Sequence, residues 1–189
     1  MSRVTRRSRA AAIVVVSAIV AQAAGCATPL EPDSMVPDMP RAALRQTART
    51  LTVAPVTSEE RPTSWGSLTL DSEFAIENEP FQQALVEAID QSRIFQKVDT
   101  SGPADYELRA HIVSQQTQLS GWAATTSSLM VNYQLRDTAG NREVWHDTII
   151  SRGTAENSRP GASSARRSLA AAARRNVLEM LARLSEQIP

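Results

Sequence analysis

The chain carries one cysteine, Cys26, set behind Ala23, Ala24 and Gly25 and followed by Ala27, Thr28 and Pro29. A lone thiol can be a metal ligand, a disulfide half, a small buried hydrophobe or a site of acylation. A disulfide would need a second chain, because no other cysteine exists. No His, Cys or Asp cluster stands near it to complete a metal site, and the proline-studded stretch behind it has no period that would bury it. The other chemistry-bearing residues are sparse. His111 and His146 each fall mid-strand on the polar side of an alternating pattern, without a companion at ligand spacing. Glu59-Glu60 and the Asp71/Glu73 pair lie in polar surroundings that offer no burial to shift a carboxyl group. No serine sits in a G-x-S-x-G elbow, and no phosphate-cradling glycine loop or H-E-x-x-H is present. The expectation is a non-enzymatic protein with no cofactor and no metal.

The residues around Cys26 specify its chemistry. Arg3, Arg6, Arg7 and Arg9 make residues 1–9 basic, and residues 10–24 form an apolar run of 15 broken only by Ser17 and Gln22. A basic start, an apolar middle and small residues before a cut site describe an export signal. The run falls short of the roughly 20 residues that a membrane span requires. Ala23-Ala24-Gly25-Cys26 resembles the lipobox of bacterial lipoproteins, with Ala23 where the commonest pattern has Leu. The resemblance implies a diacylglycerol on the Cys26 thiol, cleavage between Gly25 and Cys26, and acylation of the new amine. At ~0.8 kcal/mol per buried methylene, two or more such chains anchor a protein stably in a lipid bilayer. Ala27 replaces the Asp that retains such proteins in the inner membrane of enteric-type bacteria, which implies the outer membrane and its periplasmic face. Arg6-Arg7 leaves twin-arginine export open, although Ser8-Arg9-Ala10-Ala11 lacks the usual Phe-Leu-Lys pattern.

Removing residues 1–25 takes four arginines and no acid from a chain balanced at 20 basic and 20 acidic side chains, leaving a net charge of −4. A weakly acidic chain has no electrostatic footprint for nucleic acid. Three regions are expected: a signal peptide at 1–25, the lipidated cysteine with a proline-rich tether at 26–47, and one domain at 48–189. Pro29, Pro32, Pro37 and Pro40 bias the tether toward extended geometry. Extended at ~3.1 Å per residue, it would hold the domain up to ~60 Å from the bilayer.

Within the domain, Leu51 and Val53 alternate with polar residues as in a strand that Pro55 ends or confines to an edge. Residues 57–66 read as a polar loop and residues 67–76 as a second short strand. Asn78-Glu79-Pro80 opens a helix, and Phe81, Leu85, Ala88, Ile89, Ser92 and Phe95 give it a buried face. Ser101-Gly102-Pro103 breaks the chain. Tyr106, Leu108, Ala110 and Ile112 begin one strand, Leu129, Val131, Tyr133 and Leu135 mark another, and the Asp137-Thr138-Ala139-Gly140-Asn141 turn returns the chain as a third at 144–151. A last helix aligns Leu169, Ala173, Val177, Met180, Leu181, Leu184 and Ile188, with Glu179 and Arg183 in the favourable i,i+4 order opposite. The expected fold is α+β: a two-layer sandwich with a mainly antiparallel sheet of about four strands and both helices on one face.

Phe81-Gln82-Gln83-Ala84-Leu85, Ala104-Asp105-Tyr106-Glu107-Leu108, Val131 to Asp137 and Ala173-Arg174-Arg175-Asn176-Val177 resemble small periplasm-facing lipoproteins of Gram-negative bacteria. In layout the chain is similar to the lipopolysaccharide-assembly lipoprotein and to auxiliary lipoproteins of lipid-transport ABC systems. The resemblance implies an accessory subunit with an envelope protein as partner, or alternatively a stand-alone binder of lipid or glycolipid. Trp65 and Trp122, each beside a glycine, are expected partner or lipid contacts if they do not fold back on the core. Arg166 and Arg167, with Arg174 and Arg175, would meet an anionic partner or be solvated surface. Trp145 reads as core. Residues 121–129 are small, uncharged and β-prone, and read either as a paired strand or as an edge open to strand addition.

Overall fold

The computed structural model describes residues 30–38, 44–59, 75–120, 124–156 and 162–188. Of the expected second strand at 67–76, residues 67–74 lie outside the described residues, as do Cys26, Gly25, Trp65 and Trp122, and Ala75 and Ile76 are not in a strand. After a short 3-10 helix at Pro32–Met35, the elements run β1 (Thr50–Val53), β2 (Thr57–Ser58), α1 (Asn78–Ser92), β3 (Lys97–Asp99), β4 (Tyr106–Ser120), β5 (Ala124–Asp137), β6 (Arg142–Glu156) and α2 (Ala162–Gln187). They build an α+β fold with a six-stranded mixed sheet in the order β3-β1-β4-β5-β6, and β2 extends the line of β1 along β4.

The expectation of a mainly antiparallel sheet of about four strands is met only roughly. β4, β5 and β6 form an antiparallel meander, but β1 pairs parallel with both β3 and β4, and β2 is parallel to β4. The parallel pairing follows from α1, which carries the chain from β1 across to β3 beside it. β3 and β2, at three and two residues, are too short to leave a periodic signature. Pro55 separates β1 from β2: the ladder resumes on either side of it, with the Ala54 and Glu59 amides donating to Leu108 and Ile112 carbonyls at 2.9 and 3.2 Å.

α1 stops at Ser92, short of the expected Phe95, because Arg93 adopts a left-handed conformation (φ 55°) and its amide closes on the Asp90 carbonyl. Ile94 and Phe95 remain buried, and Phe95 meets Tyr106 edge-on at 6.1 Å. The β5–β6 turn places its left-handed residue at Asn141 (φ 47°), while the Asp137 carboxylate accepts the Ala139 and Gly140 amides.

Both helices join one continuous core on one face of the sheet. Phe81, Ala84, Leu85, Ala88 and Ile89 of α1 and the expected apolar stripe of α2 are buried, as is Trp145, stacked on Tyr133 at 6.4 Å. Near the middle of α2 the interface is polar. The Tyr133 hydroxyl donates to Asn176 Oδ1 at 2.8 Å, and Asn176 Nδ2 donates to the Ile149 carbonyl at 3.0 Å and Ser151 Oγ at 3.2 Å. Burial pushes the Tyr133 phenol well above its usual range, so it stays a donor. Toward the start of α2 the contact tightens. Ser127 and Ser168 hydroxyls meet at 2.7 Å, and a Cβ on Gly153 would stand 2.1 Å from the Ser168 carbonyl oxygen. Only glycine lets helix and strand approach this closely.

The tether is also corrected. Leu30 and Met35 are core residues, Met35 with no exposed surface, and Pro32–Met35 packs against both helices. Arg174 Nη1 donates to the Ser34 carbonyl at 2.7 Å, and the Thr47 amide donates to Ile94 O at 2.8 Å. The prolines suppress a long helix, but Leu30 and Met35 supply apolar surface that the gap at the two helices buries.

Candidate functional site: the open face of the sheet

Alternation along the long strands sends one set of side chains under the helices and the other to a face that no described helix covers. On β4 this set is Glu107, Arg109 and His111, on β5 Asn132, Gln134 and Arg136, and on β6 His146, Thr148, Ile150 and Arg152. Two register shifts adjust the surface. Between Ile112 and Ser114 the bulge reverses the alternation of β4, so that Ser114 stands opposite Met130 on the open face. A second, at Leu135/Arg136, lets Trp145 point inward while Glu143 points out beside Arg136.

At the end of this face near the β5–β6 turn lies a depression of about 800 Å³, lined by Pro55, Thr57, Arg109, His111, Asn132, Gln134 and His146. The histidines are brought to opposite sides of Asn132. His111 pairs directly across from it and accepts or donates at Thr57 Oγ1 over 2.8 Å, while His146 Nε2 meets Asn132 Oδ1 at 2.7 Å. Arg109 pairs with Glu107, Gln134 with Glu143, and Arg136 Nη2 donates to Asn141 Oδ1 at 2.7 Å. Farther along, the face turns less polar: Ile150, 59% exposed, stands across from Met130 and is flanked by Thr148 and Arg152.

Thr57 and His111 form a hydroxyl–imidazole pair, but among the described residues no carboxylate hydrogen-bonds the other ring nitrogen to orient it as a base. Among the described residues no three His, Cys, Asp or Glu side chains converge as a metal site. The open face is a broad surface of imidazole, carboxamide and paired charge around the exposed Ile150 side chain.

Two charged clusters elsewhere tie elements of the fold together. Asp105 accepts the Thr50 amide at 2.8 Å and hydroxyl at 2.9 Å, with Arg49 at 3.2 Å, and the Thr50 amide above all holds its carboxyl below the usual carboxylate range. Arg183 of α2 binds Asp147 Oδ2 at 2.6 Å and also Glu179, and the Asp147 hydrogen bond raises its pKa further. Arg166 is half-buried and Arg167 exposed on α2, away from the open face; Arg175 Nη1 reaches back to the Arg152 carbonyl at 3.1 Å. The structure therefore does not bring Arg166 and Arg167 into the depression. The edge reading of residues 121–129 is corrected for its described part, 124–129, which is interior strand paired with β4 and β6 on either side. The outward row of polar residues was visible as alternation, but no local signal announced that β2, four residues past β1, would close the depression.

No family model matches the sequence, and no curated protein matches it significantly. Solved structures do share its fold. A Xanthomonas campestris protein of the family DUF330 superposes with a TM-score of 0.62 at 18% identity, covering 80% of this chain and 92% of its own. A hypothetical protein of Chlamydia trachomatis gives 0.54 at 14% identity, over 75% of this chain and 98% of its own. A minor lipoprotein of Acinetobacter baumannii gives 0.43 at 14% identity, over 76% and 92%. At such identities the likeness of the first two is one of fold. No helix among the described residues is long and apolar enough to cross a membrane.

Proposed function

We propose that this chain is a lipoprotein of the bacterial cell envelope, anchored in the outer membrane through acylated Cys26, that serves without catalysis as an accessory or binding subunit in envelope transport or assembly. The observation that carries the reading is the Ala23-Ala24-Gly25-Cys26 quartet behind a basic and apolar leader, in a chain that uses cysteine nowhere else. The open sheet face, with paired charges at one end and Ile150 at the other, is the surface offered to a protein partner. A stand-alone lipid binder would need a pocket either under Trp65 and Trp122 or between sheet and helices, where Val131, Tyr133, Leu135, Leu169 and Val177 are at most 1% exposed.

The test is Cys26→Ala. Membranes from cells making either form are separated by density, and the N-terminal peptide is weighed. The expected result is an acylated N-terminus at Cys26 in the outer-membrane fraction, and an uncleaved leader in the variant. A variant that is still processed and fractionates like the parent contradicts the anchor. Lipid retained by the variant's domain in native mass spectrometry would favour the lipid-binding alternative.

A further inference from the structure

If Cys26 is acylated as proposed above, the docked segment decides how the domain meets the bilayer; the inference rests on that reading. Three residues, Ala27, Thr28 and Pro29, separate Cys26 from Leu30. Leu30 is only 7% exposed and belongs to the core, and the Pro32–Met35 turn behind it is packed on both helices. Four residues reach at most about 14 Å when fully extended. The tether of some 60 Å that composition alone suggests is therefore closed down to a short leash attached at the helical layer. A sheet and a helix layer together are roughly 20 Å thick, so such a leash does not carry the anchor round to the open face.

We propose that the helical layer, with the outer face of α2 foremost, lies against the anionic leaflet that holds the anchor, and that the open sheet face is turned away from the membrane toward its partner. The choice of α2 comes from charge. Arg167, Ala171, Arg174, Leu178 and Ala182 follow one another at three- and four-residue steps and so form one line along the helix. Arg167, Leu178 and Ala182 are exposed, and Arg174 is the residue that holds the Ser34 carbonyl, which fixes this line beside the docked segment. Along this line the two guanidinium groups lead on to exposed aliphatic carbon at Leu178 and Ala182 before the exposed Glu186 ends it, and cation beside aliphatic carbon suits a negatively charged headgroup surface. The outer face of α1 instead exposes Glu79, Gln83, Glu87, Asp90 and Gln91, and its three carboxylates are repelled by an anionic surface. The basic line thus stands out in a chain whose mature form is net acidic.

The test uses full-length acylated protein in vesicles of phosphatidylethanolamine and phosphatidylglycerol that contain an acceptor dye. Donor dyes go on single introduced cysteines at Ala182→Cys on α2, Gln83→Cys on α1 and Thr148→Cys on the open face, all exposed positions. Cys26, alkylated by its lipid, does not react. Expected transfer is strongest from α2, intermediate from α1 and weakest from the open face, with at least about a twofold span across the roughly 20 Å of the two layers. A flexible insert of about 20 residues between Pro29 and Leu30, adding ~25 Å of reach, is expected to flatten the difference. Equal transfer from all three sites of a protein whose mass confirms acylation, or strongest transfer from Thr148→Cys, overturns this orientation alone. An intact mass without acyl chains overturns the anchor, and the orientation falls with it.

Discussion

Neighbouring residues of β5 serve opposite faces of one sheet. Leu129, Val131, Tyr133 and Leu135 have no exposed surface and lie against the helices, while Met130, Asn132, Gln134 and Arg136 keep part of theirs on the open side. The covered face is held by close packing and by buried hydrogen bonds that would be costly to leave unmade. The open face is held by exposed pairs such as Arg109–Glu107, which contribute little to folding. One face therefore carries the stability, and the other contributes little to it.

Substitutions can break that division, and the largest effects belong to the covered face. Gly153→Ala puts a Cβ 2.1 Å from the Ser168 carbonyl oxygen and 2.3 Å from the Ala172 nitrogen, so α2 has to shift. The expected loss is about 3 kcal/mol, read from the denaturant midpoint. Asn176→Ala strips the buried Tyr133 hydroxyl of its acceptor and frees the Ile149 carbonyl, at a cost of about 2–3 kcal/mol. If Tyr133→Phe in that background recovers part of the loss, the penalty is the orphaned hydroxyl and not lost packing.

The docked N-terminal segment extends the comparison beyond the sheet. Met35→Ala is expected to cost about 2 kcal/mol, the toll of a buried cavity, whereas a free tether would register nothing. A smaller, pH-dependent effect belongs to Asp105. Its native carboxyl lies below the ordinary value of 3.8, so its contribution is complete above that value and fades as pH falls through the lowered one. Asp105→Asn should therefore destabilise at neutral pH and progressively less as the pH falls below 3.8, a difference that paired thermal melts would reveal. The smallest folding effects are expected on the open face, where Arg109→Ala or Ile150→Ser should stay within about 0.5 kcal/mol of the parent.

Much of the covered face was legible in the chain. The apolar stripe of α2, the buried face of α1 and the inward placement of Trp145 follow from spacing alone, because each is a run long enough to show its period. The parallel half of the sheet was not. Lys97-Val98-Asp99 and Thr57-Ser58 are too short for a pattern, and only the crossover through α1 reveals that β1 has neighbours running its own way. Proline count misled at residues 30–35, since it describes the backbone and not where Leu30 and Met35 find cover. On the open face the alternation was readable, but the β4 bulge reverses it after Ile112, and the meeting of His111, Asn132 and His146 depends on register, which no single strand encodes.

The most direct measurement is crosslinking in living cells from a photoreactive residue at Thr148 on the open face and, separately, at Gln83 on α1. A discrete adduct with one envelope protein from position 148, absent from position 83 and lost in Ile150→Ser, is the predicted result. An adduct pattern that is the same from both positions, or no protein adduct from position 148, would contradict the assignment of the open face to a partner.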